Sequence, residues 1–128
     1  MTATSTIIAE PARDLIRITL TGFFDENTIA DFLEARRHAH AQLRCGPNRH
    51  LTLADTRAIA IQTQDMVARW GGILADPAHR SRRLAFVTGS SLARMQLQRA
   101  IGGRTAQVFT DEREAMAWLF ADEASAAA

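Results

Sequence analysis

Hydrophobic and polar residues alternate strictly along Ile16-Arg17-Ile18-Thr19-Leu20-Thr21. Successive side chains of an extended strand point to opposite sides, so Ile16, Ile18 and Leu20 share one face and Arg17, Thr19 and Thr21 the other. The pattern predicts a strand from Leu15 with one wet face, ended by Gly22. Ile7-Ile8-Ala9, ahead of Pro11, predicts a short partner strand, with Arg13-Asp14 in the hairpin connection. His50-Leu51-Thr52-Leu53-Ala54 alternates too and predicts a third strand, Leu51 and Leu53 pointing inward, His50 and Thr52 outward. Leu84-Ala85-Phe86-Val87 is apolar on both sides and predicts the most central strand. Thr105-Ala106-Gln107-Val108-Phe109 predicts the last.

Helical spacing fills the gaps. Asp25 reads as a helix N-cap, with Phe24 before it and Ile29 at the fourth helical position as a hydrophobic staple. Ile29, Phe32, Leu33, Ala39 and Leu43 make the buried stripe, and Gly46-Pro47 closes the helix. A loop follows Asp55 to about Gln62. Thr63 then caps a second helix, with Asp65 in its first turn and Met66, Trp70, Ile73 and Leu74 on its apolar side. Gly71-Gly72 is expected to weaken this helix or end it early. Thr88-Gly89-Ser90 turns into a third helix, Ser91 to Ile101, with Gly102 as a left-handed C-cap. Thr110 is expected to cap a fourth helix that begins with Asp111 and Glu112 and turns Ala115, Met116, Trp118 and Leu119 inward.

The element order is therefore ββαβαβαβα. Helical crossovers between the later strands require parallel pairing, so the fold class is α/β with a mixed, mostly parallel five-stranded sheet. A sheet covered on both faces carries continuously apolar strands. Three of the four main strands here show a polar side, which places the helices mainly on one face. The other face would carry Arg17, Thr19, Thr21, His50, Thr52, Thr105 and Gln107 and meet water or a partner. Residues 1–121 read as one domain and 122–128 as a frayed tail.

Composition narrows the function class. With 128 residues and 47% apolar content, the chain can build a core without staples. Its one cysteine, Cys45, cannot form an internal disulfide and fits a reducing compartment. The N-terminus lacks the basic and apolar regions of a secretory signal, and no stretch approaches the ~20 apolar residues of a membrane span, so the expected location is the cytoplasm. All 15 basic residues are Arg, and Ala is abundant, which fits a GC-rich bacterial genome. Residues 65–109 hold seven Arg and two acids, while residues 110–128 hold one Arg and five acids. Nucleic-acid binding would want a larger net charge than +1 and more exposed aromatics than a 6% content supplies. His38 and His40 point to different sides of a helix, and no Cys-x-x-Cys or His-x-x-x-His spacing exists, so neither a metal nor another cofactor is expected. Ser90, Ser91 and Cys45 lack an evident base, and no triad can be argued from spacing.

The closing pattern carries a resemblance. Arg83-Leu84-Ala85-Phe86-Val87-Thr88, followed by Gln107-Val108-Phe109-Thr110-Asp111-Glu112-Arg113-Glu114-Ala115-Met116-Ala117-Trp118-Leu119, is similar to the end of STAS/SpoIIAA-like proteins, the anti-sigma-factor-antagonist group. The marks are a strand ending in Phe, an acidic helix start, an Ala and a final Trp-Leu. The resemblance implies a βα superhelix with helices on one face, and a regulatory role. Regulatory members carry a phosphorylatable Ser at the start of the second helix, after an Asp ending the third strand. Asp55 matches that Asp and Thr63 lies near the Ser position, but Ile61-Gln62-Thr63-Gln64-Asp65 stands where those members have Asp-Ser-Ser-Gly. Sec14-type lipid-binding domains share the fold, which suggests an apolar ligand pocket.

Two sites follow as expectations. One is a regulatory or interaction surface of Asp55, Thr56, Thr63, Gln64 and Asp65, although a plain N-cap is the simpler account of Thr63. The other is an anion-binding helix start at Ser90, Ser91 and Arg94, where a cap again suffices. The reading that results is a non-catalytic STAS-like regulatory or protein-interaction module of a bacterial cytoplasm, binding a protein partner or itself. The alternative is a small-ligand or lipid-binding domain with an apolar pocket between the first helices and the sheet. Neither a nucleic acid nor an integral membrane segment is expected.

Overall fold

The computed structural model describes residues 3–101 and 106–121. The expectations for Gly102, Thr105 and the tail 122–128 lie outside the described residues. The chain opens with a hairpin in which β1 (Thr4–Glu10) pairs antiparallel with β2 (Leu15–Gly22). One 3₁₀ turn over Pro11–Arg13 joins them, and Asp14 follows with φ 51, a left-handed conformation that Asp tolerates better than most residues. Gly22 ends β2 with φ 82, where a Cβ would be strained, and its carbonyl accepts from the Ala60 N–H.

The remaining elements alternate: α1 (Glu26–His40), β3 (Leu51–Ile59), α2 (Gln64–Leu74), β4 (Arg83–Val87), α3 (Ser91–Ile101), β5 (Ala106–Phe109) and α4 (Glu112–Leu119). The five strands lie in the order β1-β2-β3-β4-β5, parallel from β2 onward. The order ββαβαβαβα and the mixed sheet are as the sequence predicts.

Two cores sit back to back. On one face Ile16, Ile18, Leu20, Ala54, Leu84 and Phe86 pack with Phe24, Ile29, Phe32 and Ile73, beneath α1, α2 and α3. On the other, Leu15, Leu51, Leu53, Ala85 and Val87 pack beneath Ala115 and Leu119 of α4. Three helices thus cover one face and a single short helix part of the other. Arg17 and Thr19 flank the α4 side, Arg17 paired with Glu10 and Glu112 and Thr19 exposed.

Several local expectations change. Thr52 and His50 are buried, 6% and 3% exposed, and face α1–α3; Leu51 and Leu53 are the residues that turn toward α4. The strand is covered on both faces, so its alternation separates two interiors, not inside from water. β3 is the central strand, and β4, though apolar throughout, lies one place outward. No loop follows Asp55, since β3 runs on to Ile59. α1 stops at His40, short of Leu43. α2 continues through Gly71 and Gly72 to Leu74. A Cβ on Gly71 would lie 3.5 Å from the Ala100 carbonyl oxygen, in ordinary contact with α3. Asp111, not Thr110, caps α4, its carboxylate accepting from the Arg113 N–H at 2.7 Å.

Asp25 caps α1 as expected. Its carboxylate accepts from the Thr28 N–H at 2.9 Å, and the Thr28 hydroxyl accepts from the Asp25 N–H at 2.8 Å. Phe24 and Ile29, the staple pair, are 1% and 0% exposed. This cap fixes the rotation of α1 and with it the side that carries Phe32, Arg36 and His40.

Candidate functional site

A cavity of about 100 Å³ lies between the sheet and the three helices. The strands supply Ile18, Leu20, Ala54, Leu84 and Phe86 as its floor; α1 supplies Phe32, Arg36 and His40, and α2 and α3 supply Val67, Trp70, Ile73 and Leu97. Natural cores contain few voids larger than a water molecule, so one of this size among apolar side chains is a feature.

The two ends of the cavity differ. At one end Gln62 and Gln96 close on each other. The Gln62 N–H donates to Gln96 Oε1 at 2.9 Å, Gln96 Nε2 donates to the Gln62 carbonyl at 2.7 Å, and Gln62 Nε2 donates to the Ala60 carbonyl. That end is polar and internally satisfied. The other end is built on Arg36, which falls on the buried stripe of α1 and is 9% exposed. Its Nη1 donates to the Ile73 carbonyl at 3.3 Å and its Nη2 to Asp76 Oδ2 at 3.1 Å, while its Nε, buried, has no hydrogen-bond partner. The guanidinium carbon stands 5.8 Å from the centre of the Phe32 ring, and Trp70 stacks edge-on against that same ring at 5.0 Å. Trp70 Nε1 is buried and also without a partner.

Three histidines gather beside Arg36. His40 lies edge-on to His50 at 4.6 Å and to His79 at 4.9 Å between ring centres. His40 Nδ1 bonds the Arg36 carbonyl at 2.9 Å, so it carries the proton of the neutral ring, and its Nε2 accepts from His50 Nε2 at 3.1 Å. His79 Nδ1 donates to Asp76 Oδ2 at 3.0 Å. Burial pushes the Arg36 guanidinium down from its ordinary value, against the pull of Asp76. Burial likewise pushes His40 down and holds it neutral, while the hydrogen bond from His79 pulls Asp76 down. Among the described residues, no group of three or more His, Cys, Asp and Glu has metal-holding geometry. The cluster surrounds one buried cation, whose Nε is left without a hydrogen-bond partner.

The residues singled out from sequence do not form one surface. Asp55 turns toward the α4 side, where Arg57 grips it at 2.8 Å and holds it below the usual carboxylate range. Thr56, next along the strand, points the opposite way, is 2% exposed and donates to the Val87 carbonyl at 2.8 Å. It is a core residue, so an accessible surface cannot include it. Thr63 is exposed and caps α2, its hydroxyl accepting from the Met66 N–H at 3.1 Å, with Gln64 and Asp65 exposed behind it. Ser90 caps α3 by accepting from the Ala93 N–H at 3.1 Å, and Ser91 and Arg94 are exposed. The cavity end went unforeseen because His40, His50 and His79 are far apart in the chain. The available signal was Arg36, a charge on the same helical stripe as Ile29, Phe32 and Ala39.

No protein-family model matches the chain, and no curated protein is significantly similar to it. Solved structures do match. An uncharacterised protein of the DUF3478 family with a SpoIIAA-like fold, from Shewanella loihica PV-4, superposes with a TM-score of 0.67 at 13% identity, over 91% of this chain and 93% of that one. An anti-sigma factor antagonist from Mycobacterium paratuberculosis superposes with a TM-score of 0.60 at 11% identity, over 93% of this chain and 95% of that one. At such identities the likeness is one of architecture, and by it this chain has the STAS/SpoIIAA-like fold.

Proposed function

We propose that this chain is a non-catalytic regulatory module that responds to a small, largely apolar ligand held between its sheet and helices α1–α3. The cavity of about 100 Å³, apolar except at its two ends, carries the reading. A protein core does not retain such a void without cost, and a ligand that fills it stabilises the folded state in proportion to its occupancy. Binding would couple to the surface through α2 and α3, which line the cavity on one side and face outward on the other. The setting is a bacterial cytoplasm, in keeping with an Arg- and Ala-rich chain containing one cysteine. No helix among the described residues is long and apolar enough to cross a membrane. Native mass spectrometry of freshly purified protein tests the reading. A retained small mass, released on unfolding, supports it. Bare protein that gains no thermal stability from a panel of small apolar compounds refutes it.

A second reading is a protein-interaction module, working on a partner or a second copy. It draws on the likeness to an anti-sigma factor antagonist and on Thr63, exposed at the N-terminus of α2 where added negative charge is favourable. A pull-down with the wild type and Thr63→Asp tests it. The absence of any partner, unchanged by the substitution, counts against it.

A further inference from the structure

We infer that the groove between α3 and the outer edge of β5 takes an extended acidic segment of a partner protein, which adds to the sheet as a further strand and sets a carboxylate on Arg94. This surface is distinct from the cavity and from the exposed start of α2 at Thr63.

β5 closes one side of the sheet, and no strand lies beyond it among the described residues. The Phe109 carbonyl turns inward, accepting from the Thr88 N–H at 2.9 Å. Backbone groups point alternately to the two sides of a strand, so the N–H and C=O of Ala106 and Val108 turn outward. Such a row is a template for another strand, and natural edges are guarded by Lys, Pro, a bulge or a covering segment. Ala106-Gln107-Val108-Phe109 has no charge, no Pro and no shift of register against β4. Nor does α3 close over this edge. Leu84 and Phe86 of β4 are 3% and 4% exposed, whereas Ala106 and Val108 beside them are only half-buried. The space left is an open groove of about 380 Å³ lined by Arg94, Gln98, Ile101, Ala106, Gln107 and Val108.

The lining selects the occupant. α3 connects the end of β4 to the start of the parallel β5, so Ile101 stands near the start of β5 and Arg94 near its end. An added strand meets an apolar end and a cationic end. Side chains two apart share a strand face, so the segment that fits carries an apolar residue and, two positions away, Asp or Glu. Main-chain bonds to Ala106 and Val108 would supply affinity and these two side chains selectivity. α3 and β5 hold Arg94 and Arg99, both exposed, and no acid. Neither Arg is ion-paired among the described residues. A second copy joined edge to edge would set two purely basic helices side by side, so an acidic partner is the better complement.

The test titrates the ¹⁵N-labelled full chain with two capped pentapeptides, Thr-Val-Thr-Glu-Thr and Thr-Glu-Thr-Val-Thr, one for each strand direction. At least one is expected to bind saturably, to shift the amide signals of Ala106 to Phe109 and of Arg94 to Ile101, and to slow hydrogen exchange at Ala106 and Val108. Exchanging its Glu for Lys should weaken binding by ~5-fold or more, and Arg94→Gln, which touches no core residue, by ~3-fold or more. N-methylation separates strand addition from charge attraction alone. Methyl groups on one set of alternate peptide residues block the N–H groups facing β5 and should abolish binding; on the other set they face water and should leave it within ~2-fold. Equal binding of the two methylated peptides, equal binding of the Glu and Lys peptides, shifts confined to another part of the chain, or no binding by either peptide overturns the inference. So does dimerisation of the free chain that moves the β5 signals with concentration, since the edge then belongs to a second copy.

Discussion

Replacing Ala54 by Val should stabilise the protein and abolish ligand binding together. Ala54 lies on β3, 3% exposed, and its side chain forms part of the cavity floor. Two added methyl groups gain ~0.8 kcal/mol each on burial, less about 0.5 kcal/mol for the χ1 freedom lost, leaving ~1 kcal/mol. Val also suits a strand better than Ala does. For a chain of this length the gain corresponds to a rise of ~3–5 °C in Tm. Thermal and urea unfolding, each with and without the panel of small apolar compounds, provide the assay. The wild type should gain from at least one of these compounds and Ala54→Val should not. A variant destabilised by 1 kcal/mol or more would mean that the methyl groups meet occupied space, and the cavity argument would fail with it.

Other outcomes can be checked alongside. Gly72→Ala should stabilise by ~1 kcal/mol in urea unfolding, since a Cβ there meets nothing within 4 Å and Ala is the better helix former. Asp25→Ala should lower Tm by ~3–5 °C, because it removes the carboxylate that accepts from the Thr28 N–H and leaves only the Asp25 N–H bonded to the Thr28 hydroxyl. Acidification should weaken the fold. The folded state holds His40 below its ordinary 6.5 while the unfolded chain takes up the proton there, so stability falls as pH drops below about 6.5 and levels off once the folded ring is charged. Unfolding of His40→Asn across pH 8 to 5 should show a shallower fall. The contribution of Asp76 is distinct: its carboxyl is held below its ordinary 3.8, so that stability is present above this value and is lost only as pH falls further.

Much of the fold was legible because local patterns and tertiary demands agree. The Asp25 cap, the Phe24–Ile29 staple, the Thr63 cap and the helix from Ser91 to Ile101 were all readable from spacing alone. In β3 only the wet face and the end of the strand depart from the sequence pattern, for a definite reason. Leu51, Leu53 and Asp55 alternate with Thr52, Ala54 and Thr56, and a strand with Thr52 beside His50 reads as having a solvent side. A buried threonine is acceptable once its hydroxyl is paired, as Thr56 is with Val87. The same strand runs through Asp55-Thr56-Arg57, which reads as loop, because Asp55 pairs with both Thr19 and Val87, pairing with β2 resumes at Ala58 past a shift of register, and Arg57 satisfies Asp55. Of the candidate site, Arg36 was visible as a charge out of place on an apolar stripe. The orphaned N–H groups were not, since the lack of a partner depends on every neighbour at once. The convergence of His40, His50 and His79 needed the topology that brings the end of α1, the start of β3 and the segment after α2 together.

The lone helix on the far side of the sheet has a consequence for how the protein is made. Leu15, Leu51, Leu53, Ala85 and Val87 wait for Ala115 and Leu119, which leave the ribosome after every strand has emerged. Until then a nascent chain shows a greasy patch on an otherwise assembled slab, the kind of surface that chaperones grip and that drives aggregation. Expression clones cut before residue 112 should therefore collect in inclusion bodies even though all five strands are encoded.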